Sequence, residues 1–145
     1  MSVSPDLLEY ALKLLPHGPE FRFVDRMLSL ACGKEGVGEY RVKEDNCPKD
    51  GRFPAMLLVE CGAQVAGIVV QEDLFNPNWP RMKLTALRKV EISGTPRAGD
   101  VLRIEAVITG RLGVLVQASI VGSMNGSKVL AAELTLSGTD ATGKV

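Results

Sequence analysis

The sequence predicts an α+β domain in which one long apolar helix is covered by an antiparallel sheet, and three observations carry that reading. A proline-free stretch from Ala55 to about Asp73, AMLLVECGAQVAGIVVQED, is apolar nearly all round until its acidic end, as a helix buried on most faces must be. After the loop Phe75 to Pro80 the apolar period falls to two for the rest of the chain, the period of half-buried strands. The 145 residues suit one domain with a sizeable core, taken as residues 1–145, and a single helix of this apolarity needs the whole sheet to cover it.

Each element has its own signal. Residues 4–15 read as a short helix, with Ser4 as N-cap, Pro5 at the first helical position, an apolar stripe of Leu7, Leu8, Ala11, Leu12 and Leu15, and Pro16 as its stop. Phe21 to Leu30 and Gly36 to Lys43 read as two strands joined by the turn residues Cys32 to Lys34. The polar run Lys43 to Arg52, with Pro48 and Gly51, is a loop leading to Phe53 and Pro54 at the start of the central helix. Gly62, Ala63, Ala66 and Gly67 give that helix a small-residue surface that lets another backbone or a ligand come close. Leu84 to Ile92, Val101 to Thr109, Leu112 to Val121 and Lys128 to Leu136 follow as strands, separated by TPRAGD, GRLG and the Asn125–Gly126 turn.

Composition excludes several classes. Lys plus Arg (17) balance Asp plus Glu (17), so no overall field draws the chain to nucleic acid or an anionic membrane. The start MSVSPDLLEYALKLL has no basic leader, and no apolar run reaches the length needed to span a bilayer, so the chain reads as cytoplasmic. Cys32, Cys47 and Cys61 are odd in number and lack CxxC spacing, which suggests neither a disulfide framework nor a zinc site. No metal or organic cofactor is implied.

Chemistry is concentrated in a few residues. Glu60 stands inside the apolar helix with Met56, Leu57, Ala63 and Gln64 at i±3 and i±4, so no basic residue on its own helix face neutralises it. Either it faces a solvent-filled groove or a partner in the sheet, or it is a tuned acid or base. Asn46 and Cys47 lie on the loop that ends beside the helix N-terminus, where free N–H groups could polarise a thioester carbonyl. Read alone, Asn46 is a turn residue ahead of Pro48 and Cys47 an inert thiol. His17, the single imidazole, sits in the turn LLPHGPEF, where capping of helix carbonyls is the better reading than catalysis.

The segments LLPHGPEFRFVDRM (14–27), FPAMLLVECGAQVAG (53–67) and PRAGD (96–100), in this order, resemble the 3-hydroxyacyl-[acyl-carrier-protein] dehydratases of fatty acid synthesis across most of the chain. The resemblance implies a hotdog fold. It implies an acyl thioester of acyl carrier protein or coenzyme A as ligand, and a homodimer, with further assembly into a trimer of dimers left open. Its most specific part is E-x-x-A-Q, matched by Glu60, Ala63 and Gln64, and it points to Phe53, Pro54, Ala55 and Gln64 as substrate-binding residues. In the family a histidine of a GHFP tetrad removes the C2 proton, and the helical acid protonates the departing hydroxyl from the opposite subunit. Counted back from Phe53 and Pro54, that tetrad falls on Asp45, Asn46, Cys47 and Pro48, so Asn46 stands in place of the histidine and Ala55 in place of a glycine.

Asn46 and Glu60 are thus the candidate catalytic pair, but an amide cannot accept a proton at neutral pH, and a positioned base is worth about 10² to 10⁴ in rate. Three functions follow. The chain is a dehydratase whose proton chemistry rests on Glu60, alone or with His17 moved into the site; or a thioesterase in which Glu60 activates water and Asn46 orients the water or the carbonyl; or an inactive binder of acyl chains or acyl carrier protein. An acidic carrier would meet Arg81, Lys83, Arg88 and Lys89 after the central helix, residues that could equally be a solvated strand edge.

Overall fold

A computed structural model describes residues 5–13, 21–71 and 83–138. Helix α1 spans Pro5–Lys13, strand β1 Arg26–Ala31, strand β2 Glu35–Arg41 and helix α2 Ala55–Val69; strands β3 (Lys83–Ile92), β4 (Val101–Leu112), β5 (Leu115–Met124) and β6 (Ser127–Ser137) follow. The strands form one antiparallel sheet in the order β1-β2-β4-β5-β6-β3. The α+β reading and the helix-on-sheet arrangement hold. Ser4, His17, Arg81 and the loop Phe75 to Pro80 lie outside the described residues, as does the end of the expected central helix beyond Gln71.

The sheet takes the helix because one of its faces is apolar and, at key points, small. On β2 the inward positions are Gly36, Gly38 and Tyr40. A Cβ at Gly36 would stand 2.8 Å from Val69 Cγ2, and one at Gly38 2.7 Å from Val65 Cγ2, so these two glycines are the seat of α2. From the helix side, a Cβ at Gly62 would run into Ile120 Cδ1. Leu58, Cys61, Val65, Ala66, Ile68 and Val69 are all buried against Leu102, Ile104, Ala106, Ile120, Leu130 and Leu134 of the sheet.

Two boundaries differ from expectation for physical reasons. Residues 21–24 precede β1 outside its ladder, with the Phe21 carbonyl and the Phe23 N–H taken by the Gln64 amide of α2, and pairing begins where the Asp25 N–H donates to the Glu39 carbonyl. The β4–β5 hairpin turns at Gly113 (φ 59°), and Gly110 lies in strand beside a register shift. The Asn125–Gly126 turn is as predicted, both residues having positive φ (53° and 80°).

The two edges of the sheet are unlike. β1 is packed by α1, whereas every residue of β3 is exposed, Leu84, Leu87, Val90 and Ile92 among them. β3 also carries a bulge between Arg88 and Glu91, with Lys89 at φ 51°. No helix among the described residues is long and apolar enough to cross a membrane.

Candidate active site

Helix α2 opens at Ala55 with Pro54 (φ −61°) as N-cap and no side chain bonded to its first turn; the Leu57 N–H donates to the Pro54 carbonyl, which leaves the N–H groups of Ala55 and Met56 for a ligand oxygen. A cavity of about 230 Å³ lies at this end, lined by Phe53, Pro54, Ala55 and Leu58 with Ile92 and Pro96 from across the fold. Three of the four residues predicted to bind substrate meet there. The fourth, Gln64, is elsewhere.

Gln64 is only 2% exposed. Its Oε1 accepts the Phe23 N–H at 2.7 Å and its Nε2 donates to the Phe21 carbonyl at 2.6 Å. One end of the amide thus meets a donor and the other an acceptor, which fixes its orientation chemically. The same Nε2 donates to Glu60 Oε1 at 3.3 Å. Glu60 is half-buried, and its carboxylate is held by a rigid buried group.

Asn46 ends a short 3-10 turn, Glu44–Asn46. Its Nδ2 donates to Tyr40 Oη at 2.9 Å. Tyr40 is fully buried and packs with Phe23 (ring centroids 5.7 Å apart) and Phe53 (5.9 Å), while Phe23 and Phe53 meet at 6.1 Å. Asn46 is therefore tied to the tip of this aromatic trio, Gln64 to the backbone at its Phe23 corner, and Phe53 forms the cavity wall. No hydrogen bond joins Asn46 to Glu60 among the described residues.

Burial pushes the Tyr40 phenol up, partly offset by the bond from Asn46, and pushes up the thiols of Cys47 and Cys61; Cys61 is raised further by the neighbouring Glu60 charge. Both cysteines are protonated at neutral pH and unsuited to nucleophilic attack. No cluster of three metal-ligating side chains occurs among the described residues. Of the basic candidates, Lys83, Arg88 and Lys89 are exposed on β3, and Lys89 Nζ lies 3.7 Å from Glu133.

Sequence reasoning missed Tyr40, Ile92 and Pro96. Tyr40 had a usable signal: a phenol on the inward face of a strand, after two glycines, needs a partner for its hydroxyl inside the core.

Against models of known protein families the chain has no match. It is 34% identical over 131 residues to a 3-hydroxyacyl-[acyl-carrier-protein] dehydratase FabZ of Thermoanaerobacter sp. (strain X514), covering 84% of this chain and 89% of the relative. In structure it is similar to the dehydratase heterocomplex ApeI:P of Xenorhabdus doucetiae, with a TM-score of 0.75 at 17% identity over 89% of this chain and 90% of that one. It is also similar to a hypothetical thioesterase protein of Streptococcus pneumoniae TIGR4 solved with coenzyme A, with a TM-score of 0.65 at 14% identity, covering 82% and 87% of the two chains. The fold is the hotdog expected from the resemblance.

Proposed function

We propose that this chain, which belongs to the FabZ family of 3-hydroxyacyl-[acyl-carrier-protein] dehydratases, binds an acyl thioester at the N-terminus of α2 and uses Glu60 as its proton-transfer group. The observation that carries the reading is the clamp on Glu60. A carboxylate on an otherwise buried helix is disfavoured unless it is held and put to use; here it accepts from Gln64, itself bolted to the backbone of residues 21 and 23.

The reaction follows from what each group can do. A thioester carbonyl directed at the first turn of α2 is polarised by N–H groups free of side-chain caps, which stabilises charge developing on oxygen when the C2 proton leaves. The Glu60 carboxylate takes the C2 proton and passes it to the departing 3-hydroxyl, so that water leaves, the 2-enoyl double bond forms and the carboxylate is restored. Phe53, Pro54 and Ala55 wall the cavity against the acyl chain. Gln64 holds the acid. Asn46 can donate or accept hydrogen bonds but cannot take a proton, so the base half of the family reaction is weakened in this chain.

That same departure favours a second reading, thioester hydrolysis, in which Glu60 deprotonates a water that Asn46 orients. One base and an oxyanion site suffice for it.

The protein acts as a homodimer formed along β3. That strand's ladder edge is unpaired and its Leu84, Leu87, Val90 and Ile92 are exposed, an arrangement costly to leave in water; pairing two copies would extend the sheet and bring the cavity's Ile92 beside the partner. The thiols of Cys47 and Cys61 suit the cytoplasm. The carrier of the acyl group is acyl carrier protein or coenzyme A, and Lys83, Arg88 and Lys89 are the cations an acidic carrier would meet.

The purified protein, confirmed as a dimer by sedimentation, is incubated with 3-hydroxyacyl, 2-enoyl and saturated acyl thioesters while enoyl absorbance and thiol release are followed together. Enoyl interconversion lost in Glu60→Gln supports dehydration. Thiol release lost in the same variant supports hydrolysis, and turnover that survives Glu60→Gln removes Glu60 from the chemistry.

A further inference from the structure

Asn46 occupies the place of a catalytic histidine, and its surroundings decide what it can still do. One amide hydrogen of Nδ2 goes to Tyr40 Oη at 2.9 Å. Tyr40 cannot follow a moving partner: it is fully buried, and its ring is held edge-on by Phe23 and tilted against Phe53. Asn46 itself is only half-buried, and its Oδ1 accepts no hydrogen bond among the described residues. The amide is therefore anchored on its nitrogen side, with its oxygen open.

We propose that Tyr40 is a positioning residue that holds the Asn46 amide in one orientation, so that Oδ1 is presented as a fixed hydrogen-bond acceptor to the substrate hydroxyl or to an attacking water. The inference rests on the acyl-thioester reading of the site and adds its polar specificity. An acceptor at that point favours ligands that bring an O–H donor, namely a 3-hydroxyacyl group, or a saturated acyl group accompanied by a water. A 2-enoyl group makes that contact only through such a water. Holding the acceptor still is the useful part, because small displacements of a positioned group are costly in rate.

Tyr40→Phe deletes the hydroxyl and keeps the packing, so it is combined with Asn46→Ala in a double-mutant cycle. Turnover of the thioester the protein accepts is measured, together with the affinity for a 3-hydroxyacyl and a saturated acyl thioether of coenzyme A, which cannot be cleaved. Tyr40→Phe is expected to lower kcat about 10-fold to 100-fold with little change in KM, to reduce the preference for the 3-hydroxyacyl thioether, and to have no further effect once residue 46 is alanine. A merely structural tyrosine would give the same loss in both backgrounds, and that result overturns the proposal. Wild-type behaviour of Tyr40→Phe beside an impaired Asn46→Ala also overturns it and leaves the site reading intact. An Asn46→Ala protein unchanged in turnover and in both affinities removes Asn46 from the site, and the proposal with it. If no thioester is turned over, the affinities alone return the answer.

Discussion

The two ends of the candidate site are held in different ways. On the helix, Glu60 is braced by Gln64, whose amide replaces backbone pairing for residues 21 and 23 and is buried to 2%. On the loop, Asn46 is braced by one hydrogen bond to Tyr40 at the end of a three-residue 3-10 turn. The first brace is part of the fold, since removing it orphans the buried Phe23 N–H. The second orients a side chain but holds up no backbone. A site built this way can change its loop residue at little structural cost while its helical carboxylate stays locked, which fits the proposal that Glu60 keeps the family's acid and Asn46 replaces its base.

The largest expected effect is on the helical brace. Gln64→Leu leaves the buried Phe23 N–H without a partner, whereas the carbonyl of the exposed Phe21 can turn to water, so chemical denaturation should show a loss of about 1–3 kcal/mol. Asn46→Ala should cost about 1 kcal/mol or less by the same measurement, because the buried Tyr40 hydroxyl keeps its hydrogen bond with the Lys43 backbone. Equal losses from the two substitutions would break the contrast.

How much of this was legible follows the same division. The central helix announced itself through an apolar run without proline, and Glu60 through being a charge where charges are costly. The matching E-x-x-A-Q pattern then identified Gln64, but as a substrate contact. Its bonds to residues 21 and 23 were hidden because residues 21–30 carry an ordinary strand pattern; the partner of those two backbone groups lies about forty residues away, in an amide no local period reveals. Gly36 and Gly38 read as a weak strand, though they are the seat that brings Val65 and Val69 onto the sheet. The exposure of β3 was legible only in part: Lys83, Arg88 and Lys89 read as a possible solvated strand edge, whereas the bareness of Leu84, Leu87, Val90 and Ile92 depends on the strand's place at the end of the sheet order.

A smaller effect sharpens the helical side. Burial holds the Cys61 proton more tightly in the native state than in the unfolded chain, where the thiol titrates near its ordinary 9.0. Its contribution is complete below that value and declines as the pH rises through it. Stability should therefore fall between pH 9 and 10 with a slope approaching about 1.4 kcal/mol per pH unit, and Cys61→Ala should flatten that slope. Stability measured by urea titration across this interval checks it; an unchanged slope in the variant would show that the thiol beside Glu60 is not shielded from water.

The account turns on this chain having kept the acid and lost the base of one site. The most direct measurement is enoyl formation from a 3-hydroxyacyl thioester by the Asn46→His protein, which regains a group able to take the C2 proton. The predicted result is a gain of about 10² or more over the natural chain, abolished when Glu60→Gln is added. A histidine variant no faster than the natural chain, or one whose gain survives the loss of the Glu60 carboxylate, would contradict it.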